Sequence, residues 1–273
     1  MTLRPSFFIL RGASDLVAER ETLESEDLGI LVVLFYLNFI LENVFSLFGG
    51  GFTALRLTVP LGLSFYTFAA VGYVVDVSRG KYAPEHNFAQ FALFMTYFPH
   101  ITNGPIPRYE KISPMFKAPH SFDPDGFLDG LRLALWGIFK QLVVAAGAAP
   151  FAAEMAKKYT EMGGLGIWLG MIAWGIELYA SFSGSIDFIR GISECYGITL
   201  AENFRRPYFA TDLSDYWNRW HISLSDWLKD YVFYPMALSK RFSRFSKFLK
   251  GKFGKFVAKT LPVGLLSLFL FTL

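Results

Sequence analysis

Cysteine is all but absent from this chain of 273 residues, where Cys195 stands alone. A disulfide framework and a zinc site built on thiolates are therefore excluded. Histidine is scarce as well. His86, His100, His120 and His221 show no metal-ligand spacing, and no metal is expected. Only 18% of the residues are charged, against about 25% in an average soluble domain, too few for the surface of an ordinary soluble enzyme. There is no P-loop, no GxGxxG and no GxSxG nucleophile elbow, and no bound cofactor is expected. Disorder is excluded by an excess. Hydrophobic side chains make up 53% of the chain, and 30 residues are phenylalanine, whereas disordered chains combine low hydrophobicity with high net charge. These exclusions leave a polytopic membrane protein as the expected class.

Acids are missing from one stretch. Lys240 to Lys259 holds eight basic residues and no acid, leaving 18 basic against 23 acidic residues elsewhere. Such a run suits either nucleic acid or anionic lipid. Its place just before the apolar run from Leu261 favours a cytoplasmic loop under the positive-inside rule, with the lipid bilayer and not nucleic acid as partner. Residues 1–27 form an atypical polar segment, acidic from Asp15 to Asp27. They show no small-residue cleavage site and are expected to be a tail or surface helix, not a cleaved signal peptide.

The remainder, 28–273, is expected to be one membrane domain. Leu28–Phe48, Leu55–Val77, Leu131–Pro150 and Gly164–Phe188 each approach or exceed the roughly 20 residues that cross a hydrocarbon core. Gly49-Gly50-Gly51 reads as a turn. Phe88–Ile101 is too short and reads as re-entrant or interfacial, and Pro105–Asp125, with five prolines, as an irregular loop. Gly166 and Gly170 form a GxxxG that suggests close helix packing. Lys140, Glu177 and Asp187 are ionisable groups within apolar segments, where such groups are functional by default. Leu261–Leu273 begins a fifth span and stops short of crossing, so the chain is expected to be cut there.

Asn203 to Pro235 differs from everything before it. Asp212 can cap a helix with apolar residues at Leu213, Tyr216, Trp217, Trp220, Leu224, Trp227, Leu228 and Tyr231 and a polar face opposite. One helix over this stretch is predicted to lie in the membrane interface or sideways on the bundle, with its tryptophans at headgroup level. His221 falls at the edge of the apolar face. Its desolvated imidazole could stay neutral and bond a hydroxyl, or it could be a structural, hydrogen-bonded histidine, the plainer reading on position alone. Arg205, Arg206 and Arg219 could hold an anionic carrier or substrate, with lipid phosphates the plainer partner.

The run Tyr216-Trp217-Asn218-Arg219-Trp220-His221-Ile222-Ser223-Leu224-Ser225, with Trp227-Leu228-Lys229-Asp230-Tyr231, resembles the membrane-bound O-acyltransferase (MBOAT) family. The likeness is closest to its bacterial branch, whose members acylate alginate or teichoic acid. Other segments carry the same resemblance: Pro60–Phe68 to PLGISFYTF, Phe98-Pro99 with Gly104-Pro105-Ile106 and Arg108-Tyr109 to the FPQ…GPI-RY loop. Trp136–Lys140 resembles WGLFKK, Phe182–Asp187 resembles FSGYSD, and Glu202-Asn203-Phe204 resembles ENF. Ala145-Ala146 stands near the place of an aspartate usual in the family.

This resemblance implies an all-α fold, a polytopic membrane helical bundle around a tunnel, with re-entrant and interfacial helices. Inside it an acetyl or D-alanyl group passes from a thioester, an acyl-CoA or acyl carrier protein, to a polymer hydroxyl. It implies His221 as catalytic, and Trp217, Asn218, Arg219, Trp220, Asn203, Asp187 and Arg108 as substrate-binding candidates. The implied partners are a cytoplasmic acyl donor or carrier protein, an extracytoplasmic partner acyltransferase, and a glycan or teichoic-acid acceptor. The implied place is the bacterial plasma membrane. A second functional histidine, in a GLWHG-like motif, is expected beyond Leu273, and residues 1–27 stand where first membrane helices are expected. Rival readings are an inactive fragment or scaffold, and a transporter component handling envelope polymer intermediates, which should show inverted repeats.

Overall fold

The computed structural model describes residues 62–101, 103–240 and 242–249, together with 41–42. The tail 1–27, nearly all of the span expected at Leu28–Phe48, the glycine turn and the start of the next span lie outside the described residues. So do Arg241, the basic residues from Lys250 onward and the apolar run from Leu261. Every regular element among the described residues is helical, and strand pairing is limited to one isolated bridge. The chain divides after Ala201 into two units.

In the first unit, α1 (Leu63–Ser78) is apolar nearly all round and follows Gly62, whose φ of 75° only glycine adopts freely. Its Tyr73 meets the Phe91 ring of α2 (Phe88–Thr96) at 5.0 Å between centroids. Asn87 starts α2 by accepting the Ala89 N–H at 3.0 Å. A short α3 (Phe98–Ile101) follows. Where five prolines predict a loop, the chain instead forms α4 (Tyr109–Lys117), with Pro114 inside it. Pro114 forfeits one backbone bond, but an amphipathic face outweighs that loss. Tyr109 and Ile112 are buried, and Tyr109 packs edge-on against Phe94 at 5.1 Å. Each such aromatic pair adds about 0.5–1.5 kcal/mol beyond area burial. The Glu85 carboxylate accepts from the Tyr109 hydroxyl and the Lys117 ammonium. Partial burial pushes its pKa up, yet these bonds prevail and hold it down to about 2.

Where spans are expected at Leu131–Pro150 and Gly164–Phe188 stand helices longer than predicted, long and apolar enough to cross a membrane. They are α5 (Pro124–Lys157, 34 residues) and α6 (Gly164–Cys195, 32 residues), each with a stretch of mean hydropathy 1.4. Asp123 caps α5 and Pro124 occupies its first turn. In the middle of α5, Lys140–Ala145 winds as a π-helix. The two helices pack antiparallel along glycines. A Cβ on Gly130 would stand 2.7 Å from the Gly191 carbonyl oxygen, and one on Gly137 would stand 2.5 Å from that of Gly184. The predicted Gly166/Gly170 motif does less: Gly170 faces only the Met155 side chain, and Gly166 faces Met162. Outward, Leu142, Leu165 and Trp168 are exposed, an apolar surface of the kind that lipid covers.

Several polar groups at this helix pair are matched, although Arg190 Nε is buried without a hydrogen-bond partner. Lys140 Nζ lies 2.6 Å from Asp187 Oδ2 and 3.0 Å from Ser183 Oγ, with the two charged side chains only 10% and 18% exposed. Ser193, fully buried, donates to the Ile198 carbonyl at 2.7 Å, so its Oγ accepts a hydrogen bond from the Tyr97 hydroxyl at 2.8 Å. Asn103 donates to Ser185 Oγ at 2.6 Å.

In the second unit the predicted single helix is broken. It begins as α7 (Leu213–Trp217), whose Asp212 cap accepts the Asp215 N–H at 2.7 Å as predicted. It stops at Asn218 and restarts as α8 (Ile222–Leu228). A π turn at Lys229–Phe233 and α9 (Tyr234–Ala237) follow, and residues 242–249 are helical. Two of the tryptophans expected at headgroup level, Trp220 and Trp227, are instead 9% and 3% exposed.

Candidate active site

The break between α7 and α8 is made by His221. Its φ of 45° and ψ of 53° lie in the left-handed region, which costs a non-glycine residue about 1–2 kcal/mol. Arg206, with φ 48°, shares the peculiarity. Two backbone bonds hold the turn. The Arg205 N–H donates to the Arg219 carbonyl at 2.9 Å, and the Ile222 N–H donates to the Asn203 carbonyl at 3.0 Å. Between them Phe204 and Trp220 form the isolated bridge, and their rings meet edge to face at 5.0 Å. Released from α7, the His221 carbonyl accepts from Ser225 N–H and begins α8.

Asn203 lies at the centre of this clasp with no exposed surface. Its Oδ1 accepts the Ser223 N–H at 2.8 Å, and its Nδ2 is 3.2 Å from His221 Nδ1. His221 keeps some exposed area, but burial pushes its pKa down from 6.5 to about 4, leaving the ring neutral at physiological pH. Trp220 stacks on Tyr216 at 5.8 Å and closes one side. The flanking polar residues are engaged. Arg219 Nε bonds Asp215 Oδ1 at 2.8 Å, and the exposed Asn218 takes Lys229 Nζ at 2.9 Å. Trp217 ends α7, half-buried and edge-on to Tyr216 at 5.5 Å. A neutral imidazole beside exposed hydrogen-bonding groups can orient a hydroxyl or steady a developing oxyanion.

The structure thus gathers His221, Asn203 and Trp220 in the second unit, with Trp217, Asn218 and Arg219 on the adjoining turn. Asp187 and Arg108 belong to the first unit. Asp187 is paired with Lys140 and lies 3.5 Å from Arg190, and half-buried Arg108 begins α4. Among the described residues no three His, Cys, Asp or Glu side chains gather as a metal site. Sequence reasoning passed over Ser223, which orients Asn203 through its backbone, and over Asp215. The four-residue interval from Asp215 to Arg219 was the available signal for that pair.

Comparison with known proteins places this architecture. The sequence profile of the MBOAT, membrane-bound O-acyltransferase family, matches residues 78–250, a stretch that contains all eight candidate residues. A probable alginate O-acetylase of Pseudomonas aeruginosa is 34% identical over 215 residues, covering 77% of this chain and 41% of that protein. A peptidoglycan O-acetyltransferase of Helicobacter pylori is 30% identical, covering 74% and 43%. A teichoic acid D-alanyltransferase of Streptococcus thermophilus is 29% identical, covering 65% and 44%. The chain spans less than half the length of these relatives. With more than half of its own residues matched, it belongs to the membrane-bound O-acyltransferase family.

Proposed function

We propose that the full protein is a bacterial plasma-membrane enzyme that moves an acyl group, acetyl or D-alanyl, from a thioester donor to a hydroxyl of a cell-surface polymer. The relatives named for alginate, peptidoglycan and teichoic acid support the acceptor class. The acceptor oxygen attacks the thioester carbonyl, its proton passes to a base, and the carbon–sulfur bond breaks to release the thiol. No side chain of the clasp is a convincing covalent nucleophile, so the transfer is direct, without an acyl-enzyme. His221 orients the acceptor or steadies the oxyanion, and the base is a second histidine of the full-length protein, as the resemblance implies. Trp217, Asn218, Arg219 and Trp220 line the acceptor's approach, and Asp187 and Arg108 are further binding residues. Asn203, with no exposed surface, acts through His221. The donor is an acyl-CoA or a cytoplasmic carrier protein, with an extracytoplasmic acyltransferase as partner and the basic 240–259 segment on the cytoplasmic side.

One observation carries this reading. A neutral, desolvated histidine is held at a strained backbone position inside a segment that the family profile matches. The test uses the full-length protein in membranes with labelled acetyl-CoA and the envelope polymer. His221→Ala is expected to lower transfer by about 10²–10⁴-fold. Unchanged turnover would return His221 to a structural role.

A further inference from the structure

We propose that Asn203 is a positioning residue, fixing the His221 ring with Nδ1 as acceptor and its proton on Nε2, so that His221 serves as a hydrogen-bond donor and not as the base. The assignment follows from one group whose role has no alternative. The Ser223 backbone N–H can only donate, so the amide atom 2.8 Å from it is the oxygen. The other end of the Asn203 amide is then the NH₂ group, which also only donates, and it faces His221 Nδ1 at 3.2 Å. Nδ1 must therefore carry no hydrogen. A neutral imidazole holds one proton, and it stands on Nε2.

Neither partner can reverse its role cheaply. Turning the amide over would set an NH₂ group against the Ser223 N–H in a fully buried place. Protonating Nδ1 would set N–H against N–H at the same distance. The ring is held by its backbone, which the Asn203 carbonyl clasps through Ile222. One residue therefore fixes both the place of the imidazole, through its carbonyl, and its tautomer, through its amide. With Nδ1 accepting inward, the hydrogen of the ring stands on Nε2. That nitrogen can bond a thioester carbonyl as that oxygen gains charge, and it cannot take the acceptor's proton.

The meaning for catalysis rests on the acyl-transfer reading, but the tautomer does not. The test is nitrogen NMR on the full chain, labelled at histidine nitrogen and placed in lipid nanodiscs, with the His221 signals identified by their loss in His221→Gln. The wild type is expected to show an unprotonated Nδ1 and a protonated Nε2. Asn203→Asp keeps an oxygen for Ser223 but turns an acceptor toward the ring, and it is expected to move the proton to Nδ1. A wild-type ring protonated on Nδ1, or an Asn203→Asp ring that keeps its proton on Nε2, overturns the proposal. In the full-length protein Asn203→Asp is expected to cut transfer of labelled acetyl by about 10²-fold or more, as wrong-tautomer variants of other enzymes do. Normal transfer in Asn203→Asp, where His221→Ala is inactive, would overturn the donor role. Normal transfer in His221→Ala would sink the catalytic reading alone, with the spectra still deciding the tautomer.

Discussion

At the scale of single residues, His221 couples folding to pH. Its folded pKa of about 4 lies below the 6.5 of an unfolded chain. Between those values the unfolded chain takes up a proton that the folded protein refuses, so stability is full above pH 6.5 and is lost as pH falls toward 4. The complete loss amounts to about 3 kcal/mol. Glu85 acts in a separate window: its folded pKa of about 2 lies below its ordinary 4.5, so its contribution is lost only as pH falls through that lower range. Melting curves in detergent at pH 7 and pH 5 should show a drop in Tm that His221→Gln removes, and an equal drop in the variant would contradict the assignment. The Asp212 cap was legible in the sequence because a cap acts within three residues. The pairing of Asn203 with His221 was not. It spans 18 residues and depends on a left-handed turn that no local preference of histidine announces.

At the scale of elements, the α5–α6 pair shows where hydropathy is informative and where it stops. Apolar length alone located both helices, because a span must be long and apolar whatever it packs against. The seam was missed: Gly130 and Gly137 lie seven apart, as do Gly184 and Gly191, and only the antiparallel pairing shows that the two intervals face each other. Gly137→Leu should therefore break the pair, since its Cβ meets backbone that cannot yield, while Gly147→Leu, with open space around it, should be silent. Overpacking of this kind typically costs about 1–3 kcal/mol. Thermal melts of both variants in detergent would check it, and equal stability would mean that the helices are not so close. The predicted proline loop failed for a related reason. Five prolines outvoted a short amphipathic pattern whose worth appears only once Tyr109 and Ile112 have a core to enter.

For the whole molecule, family likeness conveyed more than periodicity did. The tryptophan–histidine run, the ENF segment and the FPQ…GPI-RY loop carried the family likeness, and the first two marked the clasp residues. Periodicity joined α7 and α8 into one interfacial helix, because a 3.6-residue pattern does not register a single residue turned left-handed. Lys140 and Asp187 were each recognisable as charges in apolar surroundings, but the ion pair that neutralises them joins residues 47 apart in sequence. Two helices of 34 and 32 residues, apolar on their exposed faces, should hold the chain in a bilayer. After expression it should stay with the membrane pellet through an alkaline carbonate wash. Release into the wash would refute the assignment of α5 and α6 as spans.

The π turn in α5 has a consequence for how the chain can vary in length. Buried small residues along that helix fall at Gly130, Ala134, Gly137, Ala145 and Ala152; from Gly130 to Gly137, Ala145 and Ala152 the steps are seven, eight and seven. A π turn holds about one residue more than an α turn, and the interval of eight spans Lys140–Ala145. The turn thus holds one extra residue without rotating the second half of the seam away from α6. Loss of a residue at exposed Val143 would restore an even count and keep both halves facing their partner. The same loss at Leu135, equally exposed but outside the turn, would swing the seam by about 100°. Deleting one residue is thus expected to be tolerated within 140–145 and to weaken the pair elsewhere in the helix, and thermal melts of the two deletion variants would check it.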